Sequence, residues 1–179
     1  IETLIVPIIL KDIQYTLDNY DKVCFDIWEE NIGWHFYTRM VQLKFIKDCI
    51  TEFKVLMFDD NLKKRIMDVY NELKDNIKNH INSDTIISSF NVDGDIIKYE
   101  DAANILAFCH IDYDVEILKV IPLHFVEHTC NELLSFFRMK YKDPELNLIG
   151  RYKNDQYYDG QIWIICSLAL AQVFLEFYK

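Results

Sequence analysis

Apolar residues recur every three or four positions along most of this 179-residue chain, and this spacing constrains the fold more than any other feature. Because an α-helix completes a turn in 3.6 residues, the spacing places apolar side chains on one helical face. No segment alternates apolar and polar residues for more than a few positions, as a half-buried strand would. We therefore expect an all-α protein whose helices are joined by loops of uneven length.

The apolar pattern and the capping residues divide the chain into six predicted helices. Pro7 is compatible with the first turn of the first helix, which should end near Asn19. Gly33 precedes the second helix, in which Phe53 is the last apolar position, and Asp59 or Asp60 can cap the third. The predicted segments are 5–19, 36–53, 60–81, 101–110, 122–137 and 161–178.

Charge and motif content exclude several function classes. Nineteen Lys and Arg against twenty-nine Asp and Glu give a net charge of -10, which repels nucleic acid and anionic membrane surfaces. The chain contains neither G-x-G-x-x-G nor G-x-x-x-x-G-K, the motifs that bind nucleotide phosphates. No apolar run approaches the roughly twenty residues of a membrane span. We expect neither a nucleic-acid partner nor a membrane partner.

Five cysteines occur singly, without a C-x-x-C pair, so neither a disulfide framework nor a zinc site is expected. No basic segment precedes the apolar stretch 1–10, so we expect no signal peptide. Together these features favour a reducing, cytoplasmic compartment. No metal or other cofactor is expected.

Two aromatic, charged connections stand out, at 26–33 and 150–160. They contain three of the four glycines, Gly33, Gly150 and Gly160, which indicates that backbone freedom is needed there. One interpretation is that these connections only pack against helix ends. The other is that both line one functional site.

The residue types in these connections suit hydrolysis of a glycosidic bond. A Trp stacks on a sugar ring, and of two carboxyls beside it one donates a proton while the other accepts hydroxyl hydrogen bonds. Trp28, Glu29 and Glu30 provide this set in the first connection, and Arg151 with Asp155 provides a forked donor in the second. Adjacent carboxylates are also common at helix starts, so the pattern alone leaves both interpretations open.

The two connections resemble signatures of one enzyme family. Residues 25–38, F-D-I-W-E-E-N-I-G-W-H-F-Y-T, resemble the D-L-W-E-E-x-x-G-x-x-F-F-T signature of the glucoamylases, glycoside hydrolase family 15. Residues 150–163, G-R-Y-K-N-D-Q-Y-Y-D-G-Q-I-W, resemble their G-R-Y-x-x-D-x-Y-Y-x-G-x-x-W signature. Weaker matches at Pro7 and Asp101 extend the resemblance along the whole chain, so we expect 1–179 to be a single segment of a glucoamylase-like catalytic domain.

The resemblance implies an (α/α)6 toroid, the six-hairpin glycosidase fold. It also implies inverting hydrolysis of α-1,4-glucosidic bonds at the non-reducing ends of an α-glucan such as starch or glycogen. Carried over by position, Glu29 is the general acid. The substrate-binding residues are Asp26, which supports the acid, together with Trp28, Glu30, Arg151 and Asp155.

The same resemblance implies an incomplete toroid. Twelve helices form the family's fold, whereas six or seven are expected here, so the chain resembles the middle of the catalytic domain. The rest of the toroid and the general base would come from flanking sequence, and the unpaired helices should expose apolar surface. The alternative function is a catalytically inactive helical remnant that binds sugar or a protein partner.

A third hypothesis is a calcium-binding module. Residues 89–100 place a glycine and a Glu at the sixth and twelfth positions of a calcium-loop pattern, but Ser89 stands where a carboxylate is needed. We therefore expect a polar turn at Asp93 and Gly94 between two helices.

Overall fold

The computed structural model describes residues 2–52 and 58–179, with side chains from Ile5 onward. It is mostly helical, 58%, which confirms the all-α class. The predicted Phe53 position lies outside the described residues. The helices are α1 (Glu2–Asn19), α2 (Phe36–Thr51), α3 (Asp60–Lys78), α4 (Ala102–His110), α5 (Val115–Leu118), α6 (Leu123–Tyr141) and α7 (Ile164–Phe177).

Helix boundaries follow the predicted signals in most cases. The end of α1 at Asn19 is confirmed, and Asp59 caps α3 by accepting a hydrogen bond from the Leu62 N–H at 2.8 Å. The position of Pro7 was predicted wrongly, because α1 begins at Glu2 and the proline therefore lies in the second turn. The single turn α5 was not predicted, since four residues are too few to show a helical period.

Short strands provide the part of the fold that the periodicity does not predict. They are β1 (Cys24–Phe25), β2 (Ile32–His35), β3 (Ile81–Asn82), β4 (Thr85–Ile86), β5 (Ser89–Phe90) and β6 (Ile96–Lys98). The antiparallel order β1-β2-β5-β6 forms one small sheet, and β3 pairs with β4. Strands of two to four residues are too short for alternation to be visible.

The turn at Asp93 and Gly94 therefore connects two strands, β5 and β6, and not two helices as predicted. The Asn91 side chain accepts hydrogen bonds from the backbone N–H groups of Asp93 at 2.9 Å and Asp95 at 2.8 Å. Gly94 has φ +87°, which explains the glycine at this position. The segment is a β-hairpin turn.

Helices α2 and α4 organise the core. Helix α2 packs against α3 and α4, and α4 also packs against α6 and α7. Residues 102–108 of α4 are all buried, so this helix lies in the middle of the described structure. Its first residue anchors the second connection, because the Ala102 N–H donates to the Arg151 carbonyl at 2.6 Å.

Apolar side chains remain exposed on α7. Ile164 is 79% exposed, Leu168 64% and Leu175 67%, which confirms the expected exposed apolar surface. A helix with such a face usually packs against a partner. Within residues 2–52 and 58–179, every helix is too short or too polar to cross a bilayer.

Candidate active site

The connection between β1 and β2 is folded around the carboxylate of Asp26. Its Oδ1 accepts hydrogen bonds from the backbone N–H of Trp28 at 3.2 Å and of Glu30 at 2.9 Å. Its Oδ2 accepts from the Asn31 amide at 3.0 Å and pairs with the Lys98 ammonium at 3.1 Å. This buried carboxylate thus fixes the residues on both sides of Glu29.

Glu29 lies at the apex of this turn. Its backbone is left-handed, with φ 59°, a conformation that costs free energy in residues other than glycine. Its side chain is exposed and makes no hydrogen bond or ion pair with any residue that the structure describes. The turn therefore presents a free carboxyl group outward.

The second connection is built on Arg151, which is 3% exposed. Its Nε donates to Asp155 Oδ2 at 2.8 Å and its Nη2 to Asp155 Oδ1 at 2.5 Å. The same Nη2 donates to Glu30 Oε1 at 2.8 Å, and the Tyr152 hydroxyl donates to Glu30 Oε2. Two segments more than a hundred residues apart therefore share one ion-pair network.

Aromatic rings enclose the guanidinium of Arg151. Its central carbon lies 5.4 Å from the ring centre of Trp28, 4.9 Å from that of Tyr157 and 5.3 Å from that of Trp163. Trp28 and Trp163 meet edge to face, with ring centres 6.1 Å apart. These rings restrict the guanidinium to one orientation and provide apolar faces beside it.

The Trp28 indole is oriented by Asp101, the residue that caps α4. Its Nε1 donates to both carboxylate oxygens, at 2.9 and 3.2 Å, while Asp101 Oδ1 also accepts from the Ala103 N–H at 2.8 Å. Lys98 lies 3.7 Å from the same carboxylate. Helix α4 is thereby joined directly to the first connection.

Burial favours the uncharged form of these groups, whereas ion pairs and hydrogen bonds favour the charged form. Burial raises the pKa of Asp101 to about 6, although Lys98 and two hydrogen bonds oppose the rise. Burial also opposes ionisation of Asp26 and Asp155, but hydrogen bonds and the nearby cations outweigh it and hold the pKa of each carboxyl below its usual value. Burial disfavours the charged form of Arg151, yet its pKa is raised by Asp155 and Glu30, so the guanidinium stays charged.

The family of this chain follows from comparison with known proteins. The family model for glycosyl hydrolases family 15 matches residues 1–178. The chain belongs to glycosyl hydrolase family 15.

Individual relatives agree with this assignment. The chain is 23% identical to glucoamylase S2 of Saccharomyces cerevisiae over 187 residues, covering 89% of this chain and 23% of that protein. It is 50% identical to glucoamylase 1 of Rhizopus oryzae over 38 residues, covering 21% of this chain and 6% of that protein. The chain therefore spans about a quarter or less of the length of these two relatives.

A solved structure of the glucoamylase from Saccharomycopsis fibuligera matches with a TM-score of 0.76 at 22% sequence identity. The match covers 90% of this chain and 37% of that chain. At this identity the likeness shows the fold, in which the helices described here are arranged as in part of the glucoamylase (α/α)6 toroid.

In this family 15 chain, the structure brings five of the six predicted site residues into one network of direct contacts. Asp26 joins it through Lys98, and Trp28 lies against Arg151. The Glu29 backbone N–H donates to the Asp26 carbonyl at 3.0 Å, but the Glu29 side chain makes no hydrogen bond or ion pair with the described residues. The roles assigned to all six residues stay predictions. The five in contact are Asp26, Trp28, Glu30, Arg151 and Asp155.

The helix-start interpretation of the two adjacent carboxylates is wrong, because Glu29 and Glu30 lie in a turn before β2. Asp101 and Lys98 belong to the network but are not among the predicted site residues. Lys98 is the last residue of β6, and no motif marks it. Its position three residues before the predicted segment 101–110 was the only available signal.

The described residues contain no group of three His, Cys, Asp or Glu side chains able to hold a metal ion. In the calcium-like segment, Asn91 is used by its own hairpin turn, and Glu100 lies 3.7 Å from Lys153. The chemistry of the site is that of carboxyl groups, a guanidinium and aromatic rings.

Proposed function

We propose that this chain forms the acid-bearing part of a glucoamylase site, which hydrolyses α-1,4-glucosidic bonds at the non-reducing ends of starch or glycogen. The observation that carries the proposal is the ion pair between Arg151 and Glu30, with Nη2 and Oε1 2.8 Å apart. It joins the two segments that resemble glucoamylase signatures at one place on the structure.

In this proposal Glu29 is the general acid. Hydrolysis with inversion requires a carboxylic acid that protonates the leaving oxygen and a carboxylate that activates water on the opposite face. Glu29 is suited to the first task because its carboxyl group is exposed and unpaired among the described residues. The Asp26 carboxylate holds the N–H groups on either side of it and so fixes the direction in which the acid points.

The remaining residues bind the sugar. Arg151 is held by Asp155, so its forked donors are fixed before a ligand arrives. Glu30 accepts hydrogen bonds, and the indole of Trp28 provides a face for a sugar ring. A site fixed in this way loses little conformational entropy on binding.

Equilibrium binding of maltotriose, followed by tryptophan fluorescence, tests the proposal. The parent chain should bind, and Glu30→Gln should weaken binding by about 10- to 100-fold, the value of one charged hydrogen bond. Glu72→Gln is the matched control, because this α3 carboxylate bonds Tyr20 outside the cluster. Equal affinities of the two variants, or no binding by the parent, would contradict the proposal.

A sugar-binding chain without hydrolytic activity is the second candidate. One observation favours it. Apart from Glu29, the carboxylates of the site, which are Asp26, Glu30, Asp101 and Asp155, are each paired with a cation. A paired carboxylate is poorly placed to act as the base for a water molecule. The two candidates make the same prediction for maltotriose binding and different predictions for glucose release.

A further inference from the structure

Lys98 occupies a central position beneath the candidate site. Its side chain is 10% exposed, and its ammonium nitrogen lies 3.1 Å from Asp26 Oδ2, 3.6 Å from Glu30 Oε2 and 3.7 Å from Asp101 Oδ2. The same nitrogen lies 3.9 Å from the ring centre of Tyr152. One cation thus contacts three carboxylates, two from the first connection and one from the start of α4.

We propose that Lys98 is a positioning residue, whose ammonium group is the shared counter-ion that sets the orientation of the Trp28–Glu30 segment. The expected effect of Lys98 on sugar binding rests on the proposed function. Lys98 acts through Asp26 and Asp101, the two carboxylates that hydrogen-bond this segment.

Lys98 provides the counter-charge for two buried carboxylates. Asp26 is 6% exposed and Asp101 is 1% exposed, and buried carboxylates without a counter-charge are strongly unfavourable. Arg151 is engaged by Glu30 and Asp155. Among the described residues, Lys98 is the one Lys or Arg that forms an ion pair with either Asp26 or Asp101.

Lys98 also links the two carboxylates that hold the Trp28–Glu30 segment. Asp26 holds the backbone of Trp28 and Glu30, and Asp101 holds the Trp28 indole. Lys98 pairs with both carboxylates, so it fixes the position of Asp26 relative to Asp101. Because Glu29 lies between the two anchored residues, its direction depends on the same contacts.

The ionisation of Asp101 is a property that a purely structural role of Lys98 would not change. The charged and titratable groups facing Asp101 are Lys98 from β6, Asp26 from the first connection, and Cys166 from α7, with Arg151 nearby. Burial raises the pKa of Cys166 to about 12, so its thiol is neutral at ordinary pH. Lys98 is therefore the main opposite charge that favours ionisation of Asp101, and the bonded Trp28 indole N–H reports that ionisation.

The experiment follows the three tryptophan indole signals in proton–nitrogen correlation spectra between pH 4 and 9. Trp28→Phe assigns the reporting signal, and the Trp34 indole, which bonds the Asp21 carbonyl, is an internal reference. In Lys98→Met the midpoint of the Trp28 titration should rise by about 1 to 2 pH units, the usual effect of losing an adjacent opposite charge. Lys98→Arg should restore it to within about half a unit.

Lys47→Met is the matched control. Its side chain is 18% exposed and its ammonium group pairs with the Asp114 carboxylate, away from the candidate site. This variant loses an ion pair of similar burial, and the Trp28 midpoint should stay at the parent value. An unchanged midpoint in Lys98→Met, or an equal rise in Lys47→Met, would overturn the proposal. If Lys98→Met does not fold, Lys98→Gln keeps a donor for Asp26 without the charge and decides in the same way.

Maltotriose affinity measured on the same variants separates this inference from the proposed function. Lys98→Met should bind about tenfold more weakly than Lys47→Met, as expected for one misplaced charged hydrogen bond. Equal affinities with a displaced midpoint would show that Lys98 does not position the sugar-binding groups. A parent chain that binds no maltotriose would contradict the proposed function, and the indole titration would still decide whether Lys98 is the counter-ion of the Asp101 carboxylate that holds Trp28.

Discussion

Arg151 and Glu30 are separated by 121 residues in the sequence, and the Arg151 Nη2 donates to Glu30 Oε1 at 2.8 Å. Arg151 is also held by both oxygens of Asp155. The first connection therefore meets a guanidinium whose direction is already fixed by the second. The contact between the two connections therefore depends on the pairing of Arg151 with Asp155.

Replacing Arg151 by Met should lower the free energy of unfolding by about 3 to 5 kcal/mol, because it leaves the Asp155 carboxylate buried without its partner. The Asp155 side chain is 0% exposed in the parent structure. Arg65→Met is the control, since Arg65 pairs with Asp18 on the surface and such pairs contribute about 0 to 1 kcal/mol. Urea unfolding of both variants measures the difference, and similar losses would show that the Arg151 network adds little to stability.

Replacing Glu29 by Gly should raise the free energy of unfolding by about 0.5 to 1 kcal/mol, because glycine adopts a positive φ without the penalty of a side chain. The φ of Glu29 is 59°, and its carboxyl group has no described partner to lose. Under the proposed role of Glu29 as the general acid, stability and function are opposed at this residue, as expected where a strained turn carries a reactive group.

Ser83→Gly is the control for this substitution, since Ser83 is also exposed and has φ 54° in the turn between β3 and β4. Both variants should gain stability in thermal or urea unfolding. A loss of stability confined to Glu29→Gly would show that the Glu29 side chain makes a stabilising contact.

Asp101→Asn should change how stability depends on pH. The pKa of Asp101 rises from 3.8 to about 6 on folding, so the folded protein binds this proton more tightly than the unfolded chain does. The ionised form is penalised in the folded state, so this carboxyl costs stability progressively from about pH 4 to pH 6. Relative to the parent, Asp101→Asn should gain on the order of 3 kcal/mol across that window.

Asp26→Asn should show the opposite dependence. The folded-state pKa of Asp26 lies below 3.8, so its carboxylate stabilises the fold above that pH and the contribution is lost at lower pH. The advantage of the parent over Asp26→Asn should therefore shrink on acidification below about pH 4. Urea unfolding at a series of pH values tests both variants, and parallel profiles would contradict the assigned directions.

Gly33→Ala should disrupt the sheet that leads into α2. A Cβ at this position would lie 1.8 Å from the Phe90 carbonyl oxygen, a backbone atom that cannot move without breaking the β2–β5 pairing. We expect a loss of more than about 2 kcal/mol in the free energy of unfolding, at the upper end for overpacking. Gly94→Ala is the control, because nothing lies within 4 Å of its Cβ and only its φ of +87° is unfavourable. Equal losses would show that β2 and β5 separate readily.

The helices were predictable from the sequence because their signals are local. The cap at Asp59 and the end of α1 at Asn19 each depend on neighbouring residues. Arg151 and Glu30 were placed together only through the resemblance of two distant segments. Lys98 could not be predicted, because its importance depends on the β5–β6 hairpin, which brings it close to two carboxylates of the first connection and to Asp101.

The last prediction is that the 179-residue polypeptide, expressed as it stands, releases no measurable glucose from maltotriose or starch. Inverting hydrolysis needs a second carboxylate, about 6.5 to 9.5 Å from the acid, that is free to hold a water molecule. In the described network the carboxylates of Asp26, Glu30, Asp101 and Asp155 are all paired with Lys98 or Arg151. Loss of base assistance alone reduces a rate by about 10² to 10⁴.

An enzymatic glucose assay on the parent and on Glu29→Gln tests this expectation. The two proteins should give the same background while both still bind maltotriose, because the amide keeps the shape of the carboxyl group and lacks its acidic proton. Robust glucose release by the parent that disappears in Glu29→Gln would instead show that one of the paired carboxylates leaves its cation to serve as the base. Glu30 would then be the first to examine, since its side chain is 30% exposed whereas those of Asp26, Asp101 and Asp155 are 6%, 2% and 0% exposed.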